Sequence, residues 1–591
     1  MSKYRNIEMS KNTTSRQHSP SLKAKRVFRG LPFGHPCPMR GGITPMPTGL
    51  RGLGGESVLL FLFSLLLFAS CNEYLDVLPD NRAALDSEEK ITDLLVSAYP
   101  ETTYFMLAEL YSDNTDRNEK GSSYTAFSPF QEQAASWAEI TDISQDTPNV
   151  IWDHYNKAIA AANNVIIAID KLGNPARLNP QRGEALLCRA YCHFILGNIF
   201  CMAYSPKTCN QDLGITYIMQ AESEVSPVYE RGTMAELYRH IAADIEEGLP
   251  LVTDNLHSVV KYHFNTKAAY AFAARFYLYY MQDDKSNLDK AITYATRVLG
   301  DRPAEALRDW QALGKITTNN GQRGNAYVDA ADKANLLILS TASYWQWIYG
   351  PTGVGMRYTH NDKIAETETI KSRGFWGSNS SFYFDVTTSA IGPKVLMYKL
   401  PQFFNYTDVT KGTGYPKMLM PVLTSDALIL DRAEAYALKG DFVKAMQDLT
   451  TWMHAFTTTT GTVDATMLNN TYGPYTGTGS SVSALGSSSI GMQYYTPTEP
   501  TPKKRLNPDF PVAAGTQENL IHAVLHARRV TCLHEGLRWF DVKRYGIEIY
   551  RRNVKDESII TVYDTMTKDD PRRAIQLPSH VIKAGIQPNP R

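Results

Sequence analysis

Apolar residues recur every three or four positions over most of the chain, a pattern that predicts helices. From Val150 to Leu172, the residues Ile151, Tyr155, Ile159, Ala162 and Ile166 fall on one face, the stripe of an amphipathic helix. Pro180 opens a second helix to about Met202 across a short Gly-Asn-Pro loop, so the two are expected to fold back as a helical hairpin. Thr233 is placed to cap a helix ending near Leu249, and Thr266 another through Met281, with Asn287–Leu299 following. Asp426–Leu438 and Phe442–Phe456 flank Gly440-Asp441 as a further pair, and Ser87 opens a shorter helix, Ile91 to Tyr99, that Pro100 ends. Ala273, Ala274, Ala291, Ala433, Ala435 and Ala445 mark close helix approaches, as in tetratricopeptide hairpins. A regular solenoid keeps a constant period; here the spacing is irregular. The expected fold class is mostly α, with about four tetratricopeptide-like hairpins carrying long irregular loops and little β.

The periodicity lapses over about 301–420 and 457–515, which are expected as loop insertions. Loops of that length inside a compact domain are usually functional or disordered. The first is rich in Trp and Tyr, which argues against disorder. The chain holds 34 Tyr, 22 Phe and 8 Trp, more tyrosine than a core normally uses and suited to carbohydrate or peptide surfaces. Tyr344, Trp345, Trp347, Trp376 and Tyr383 are the candidate ligand-binding residues. An alternative role for Trp345 and Trp347 is to anchor their loop to the helices.

Val58 to Ala69 is uncharged and apolar but for Ser64, with Arg51 upstream and Ala69-Ser70-Cys71 downstream. It is too short for an ordinary membrane span and has the layout of a secretory signal. Its end resembles a bacterial lipobox, which implies cleavage before Cys71 and acylation of that cysteine. More than one acyl chain anchors a protein stably. Residues 1–70 are therefore expected to be a disordered basic leader plus a lipoprotein signal peptide, and 71–591 the helical domain. The leader holds ten Lys/Arg and two Asp/Glu, leaving 50 against 58 in residues 71–591, a net charge of −8. A mildly acidic body lacks the basic stripe of a nucleic-acid binder. Beyond Cys71, Cys188, Cys192, Cys201, Cys209 and Cys532 are odd in number and irregularly spaced, unlike a disulfide framework.

Catalytic signatures are missing from the sequence: no HExxH helix, P-loop or G-x-S-x-G elbow occurs. His522 and His526 have the i, i+4 spacing of helical metal ligands, but no third ligand is evident and a packing pair is preferred. No metal, cofactor or catalytic residue is expected.

Several blocks, in order, resemble the SusD/RagB family of surface lipoproteins of the Bacteroidetes. They are Leu75-Asp76 with Pro79; Gly183-Glu184-Ala185, Arg189-Ala190-Tyr191 and Phe194; Arg231-Gly232-Thr233, Leu237-Tyr238, Ile241 and Asp244; Lys267-Ala268-Ala269 and Ala274-Arg275 with Tyr277-Leu278. Arg528-Arg529, Glu535 to Gly546, Leu577-Pro578 and Gln587 to Pro590 complete the series. His534 stands where the family often has an aromatic residue. Within the last long block, Glu535, Arg538, Asp541 and Arg544 alternate in sign at spacing three and are expected to form an ion ladder along a helix.

The resemblance implies a palmitate-bearing outer-membrane lipoprotein, anchored through Cys71 and facing the exterior. It implies a SusC-type, TonB-dependent transporter as partner and a role in nutrient uptake by capture of an oligomeric ligand. Glycan binding is expected first and RagB-type peptide binding second. The protein is expected not to be an enzyme, a surface glycosidase being the weakest alternative.

Overall fold

Helix α1, Pro148–Lys171, packs antiparallel on α2, Asn179–Phe200, and α2 in turn on α3, Met234–Gly248. The next hairpins are α4, Thr266–Tyr279, with α5, Asn287–Leu299, and α6, Ser425–Lys439, with α7, Phe442–Phe456. Helix α8, Thr516–Thr531, lies across α6, and α9, Leu537–Arg544, follows it. These facts come from a computed structural model that describes residues 85–591, apart from 120–123, 221–228, 317–319, 378–380, 385, 389–391, 477–490 and 557–558. The leader, the signal segment and Cys71 lie outside the described residues. The fold is mostly α, built from tetratricopeptide-like hairpins as expected.

The helix starts follow their caps. Thr233 and Glu236 form a reciprocal capping box at α3, and Gly440 ends α6 at φ +89°. Asn265, not Thr266, caps α4: its Oδ1 accepts from the Ala268 amide at 3.0 Å, while its side-chain amide donates to Leu336 O at 2.9 Å. The cap thereby also ties α4 to a strand.

That strand belongs to structure inside the stretch expected as irregular loop. The strands of the two larger sheets are β1, Asp116–Asn118; β2, Asn335–Thr341; β3, Tyr358–Thr359; β4, Gln402–Asp408; β5, Thr413–Thr424; β6, Ile549–Asp556; and β7, Ile559–Met566. One antiparallel sheet runs β2-β5-β4, and a second runs β3-β1-β6-β7 with β1 parallel to β6. Strand β5 escapes notice in the sequence because its buried half is a continuous apolar run, Met418 to Leu423, without alternation.

Helices α2 and α3 meet at Gly183 and Gly248. A Cβ on Gly183 would stand 2.7 Å from Leu251 Cβ and 3.0 Å from Gly248 O. Gly183→Ala is expected to lower stability by about 1–3 kcal/mol, read as a fall in Tm; an unchanged Tm would refute the tight crossing.

The signature charges are core groups. Arg189 makes a bidentate pair with Asp244 at 2.7 and 2.8 Å, joining α2 to α3, and Arg275 meets Asp431 at 3.0 Å, joining α4 to α6. Arg231 reaches Asn589 at 2.7 Å, tying the chain's last residues to the hairpins. The expected ladder on α9 does not form as a strip. The helix is buried on all sides, so its charges reach outward: Arg538 to Asp113 at 2.7 Å, Asp541 to Arg528 at 2.9 Å, Arg544 to Glu434 at 2.7 Å, and Glu535 to Tyr327 at 2.7 Å. Only Arg544 and Asp541 also meet along the helix, at 3.6 Å.

Candidate ligand-binding site

Strand β2 runs out of the core and leads into one helical turn, Trp345–Tyr349. Helical spacing sorts its aromatics. Trp345, Ile348 and Tyr349 point inward and are buried, while Trp347 faces out and is 42% exposed. Trp345 is 0% exposed, its indole N–H donating to His534 O at 2.7 Å. The Tyr349 ring stacks on the His534 imidazole, centroids 4.7 Å apart. His534 thus serves as an aromatic packing partner, although it departs from the residue usual at that position. Its φ of +69° is a conformation histidine visits more readily than most side chains.

Trp347 does not stand alone. Phe127 lies parallel to it, centroids 6.2 Å apart and planes 9° apart, and Tyr344 meets Phe127 edge-on at 5.4 Å. Gln131, fully buried, holds this arrangement. Its Oε1 accepts from the Phe127 amide at 2.6 Å, and its Nε2 donates to Gly355 O and Tyr358 O at 2.9 and 2.6 Å. Two ionisable groups back the turn. The Tyr344 amide donates to Asp146 at 2.7 Å, and Lys394 Nζ donates to Trp347 O at 3.3 Å. Burial pushes the Asp146 carboxyl up to about 7, against the hydrogen bonds from Tyr344 and Ser343, and pulls Lys394 down to about 7. The outcome is a three-ring surface with peptide groups at its edge, where Thr352 Oγ1 donates to Trp347 O at 2.6 Å, a mixture of flat apolar faces and positioned polar atoms.

The other expected platform residues sit elsewhere. Trp376 is 1% exposed and packs on Trp452 and His526, with centroid distances of 5.5 and 4.5 Å. Tyr383 is half-buried at the end of α7, its amide donating to Phe456 O at 3.3 Å. Neither Trp345 nor Trp376 presents a ring face to a ligand in this structure, because both fill the core; Tyr344 and Trp347 are brought together, and Phe127, more than 200 residues away in sequence, completes the patch. His526, one of the pair with metal-ligand spacing, has both ring nitrogens engaged, by Tyr472 OH at 2.9 Å and Ser372 Oγ at 3.0 Å. The five cysteines in the described part are buried free thiols.

A second concavity of about 600 Å³ lies between Tyr494, Tyr495 and Tyr550, with Lys504, Arg505 and Glu518 on its walls. Two of its rings already carry cations: Lys503 and Arg505 sit over Tyr494 at 4.3 and 4.6 Å, and Lys504 over Tyr495 at 3.1 Å.

Residues 73–278 match the SusD-like family described as "Starch-binding associating with outer membrane". Over that stretch the chain is similar to the SusD/RagB family. Solved structures of SusD superfamily proteins share the fold over most of the chain. A SusD superfamily protein of Bacteroides thetaiotaomicron is 17% identical, with 86% of this chain and 100% of the other covered and a TM-score of 0.55. A candidate sugar-binding protein of Bacteroides vulgatus is 17% identical over 86% and 99%, with a TM-score of 0.58. A further superfamily member from Bacteroides vulgatus is 19% identical over 85% and 97%, with a TM-score of 0.53. Among curated proteins no match is found. Among the signature residues that carry the family resemblance, Arg189, Asp244, Arg275 and Arg528 are buried charges of the scaffold, whereas Phe127, Tyr344 and Trp347 stand outside the signature blocks.

Proposed function

We propose that this SusD-like protein captures an oligosaccharide on the Phe127–Tyr344–Trp347 surface and delivers it, uncleaved, to a SusC-type TonB-dependent transporter. In this reading it is held at the outer membrane, facing the exterior, through lipid on Cys71, the first residue of the helical domain. The family's description, starch binding and association with the outer membrane, supports the ligand class and the location. A similar fold in a candidate sugar-binding protein supports it further. Among the described residues no helix is long and apolar enough to cross a membrane, in keeping with attachment from outside the fold.

The observation that carries the proposal is the exposed Trp347 ring, parallel to Phe127 while its neighbours are locked inward. A flat indole whose backing is already ordered offers stacking at little entropic cost. Asp146 is poorly placed to attack a glycosidic bond: it is fully buried and accepts from the Tyr344 amide. A carboxylate pair for hydrolysis has to flank the sugar at about 5–10 Å separation.

Trp347→Ala is expected to weaken oligosaccharide binding by about 30-fold, the cost of about 2 kcal/mol typical of a central aromatic contact. Calorimetric titration of the variant measures it. Tyr550→Ala, in the other cleft, leaves the affinity unchanged. Equal losses in both variants, or a loss in Tyr550→Ala alone, would move the ligand to that cleft.

A further inference from the structure

Glu184 lies in the second turn of the signature helix α2 and is almost wholly buried, yet two histidines from one distant loop converge on it. His257 Nε2 lies 2.7 Å from Glu184 Oε2, and His263 Nδ1 lies 2.8 Å from Glu184 Oε1. One donor atom from each of the three residues falls within 4.8 Å of the other two. The imidazoles lie face to face, centroids 3.4 Å apart and planes 10° apart. Among the described residues no other group of three such side chains converges in this way.

We propose that Glu184, His257 and His263 form a binding site for a divalent transition-metal ion, zinc being the best fit, that pins the start of α2 to the loop joining α3 and α4. Two imidazole nitrogens and one carboxylate oxygen are a donor set zinc accepts, with water in the fourth position. Both histidine side chains keep 14% of their surface accessible, so water and the ion reach the site from one side. Zinc takes ligands at about 2.0–2.2 Å, so tetrahedral donors stand about 3.4 Å apart. From 2.7 and 2.8 Å, the nitrogens have to back off from the carboxylate by about 0.6–0.7 Å, a movement that residues on a loop can make. An imidazole bound to the ion carries its proton on the nitrogen that faces away, so the N–H that each ring now directs at Glu184 moves to the far nitrogen or to water as the ion binds.

The surroundings fix the carboxylate as a ligand's second layer does. Tyr99 OH donates to Glu184 Oε1 at 2.7 Å and accepts from the Phe264 amide at 2.6 Å. The Tyr99 ring meets the His263 ring edge-on at 5.5 Å, setting its orientation. Outer partners of this kind tune metal affinity by about 10–100-fold. The residues lie 73 and 79 positions apart along the chain, so no spacing in the sequence announces them.

The test uses the purified protein, stripped with a chelator and titrated calorimetrically with zinc chloride in the absence of glycan. One ion per chain is expected to bind, and zinc is expected to raise Tm. His257→Ala changes a loop residue and leaves the metal-free fold intact, checked by circular dichroism. It is expected to weaken binding by more than about 100-fold, since a ligand matters more than an outer partner. Tyr99→Phe keeps the packing and is expected to weaken binding by about 10–100-fold. Absence of stoichiometric binding, or equal affinity and equal zinc-induced Tm shift in the parent and both variants, overturns the proposal and leaves Glu184 a simple bridge between two imidazoles. These readouts do not depend on glycan capture.

Discussion

Glu434→Gln is expected to lower the stability of the protein by about 3–5 kcal/mol, the cost of breaking a buried ion pair by removing one partner. Glu434 of α6 accepts from Arg528 at 2.6 Å, Arg544 at 2.7 Å and Tyr545 OH at 2.7 Å. Arg528 also meets Asp541 at 2.9 Å and Asp431 at 3.0 Å, and Asp431 meets Arg275 at 3.0 Å. Three carboxylates therefore face three guanidiniums across α4, α6, α8 and α9, all buried. Neutralising one carboxylate strands positive charge where water cannot reach it. Chemical denaturation of the variant and its parent measures the difference.

Acid probes the same network. Burial pushes the Glu434 carboxyl up, but the guanidiniums of Arg544 and Arg528 more than offset this and hold it at about 2. The unfolded value is about 4.3, so the folded value is the depressed one. Its stabilisation is complete above about pH 5 and is lost as the pH falls toward 2. Asp541, on the same arginine, shifts the other way because burial prevails there. Glu434, with two guanidiniums and a phenol on it, sets the direction, and the Glu434→Gln variant is expected to show a flatter stability profile between pH 5 and 2.

Trp345→Ala is expected to cost about 3–5 kcal/mol, the range for emptying a large core site. It also strips His534 O of the indole N–H that reaches it at 2.7 Å. Because Trp345 anchors the turn that carries Trp347, ligand affinity is expected to fall with stability. Trp347→Ala gives the complementary pattern: a surface change within about 0.5 kcal/mol of neutral for folding but a loss in binding. Thermal unfolding of both variants, paired with titration, separates anchor from platform. A Trp345→Ala protein as stable as its parent would contradict the buried position.

Two residues apart in sequence, these tryptophans are alike to a reader of the chain. What separates them is helical phase, and a five-residue turn is too short to reveal its phase through periodicity. Long helices were legible for the opposite reason: α1 shows its stripe over six turns, and Thr233 with Glu236 announces the start of α3. Caps failed only where two adjacent residues could serve, as at Asn265 and Thr266. The charges of α9 were visible but misplaced, because alternation of sign along a helix says nothing about whether the helix is solvated. Phe127 and Gln131, and likewise His257 and His263, acquire their roles through contacts between distant segments, which local pattern does not encode.

In the proposed function, a helical SusD-like scaffold holds an oligosaccharide by ring stacking at Trp347 and leaves it intact. The most direct measurement incubates the protein with a mixed pool of oligosaccharides and peptides, then identifies by mass spectrometry what co-elutes with it. Full-length oligosaccharides retained by the parent and lost from Trp347→Ala are the predicted result. Retention of peptides instead, the appearance of shortened glycans, or equal retention by Trp347→Ala would contradict it.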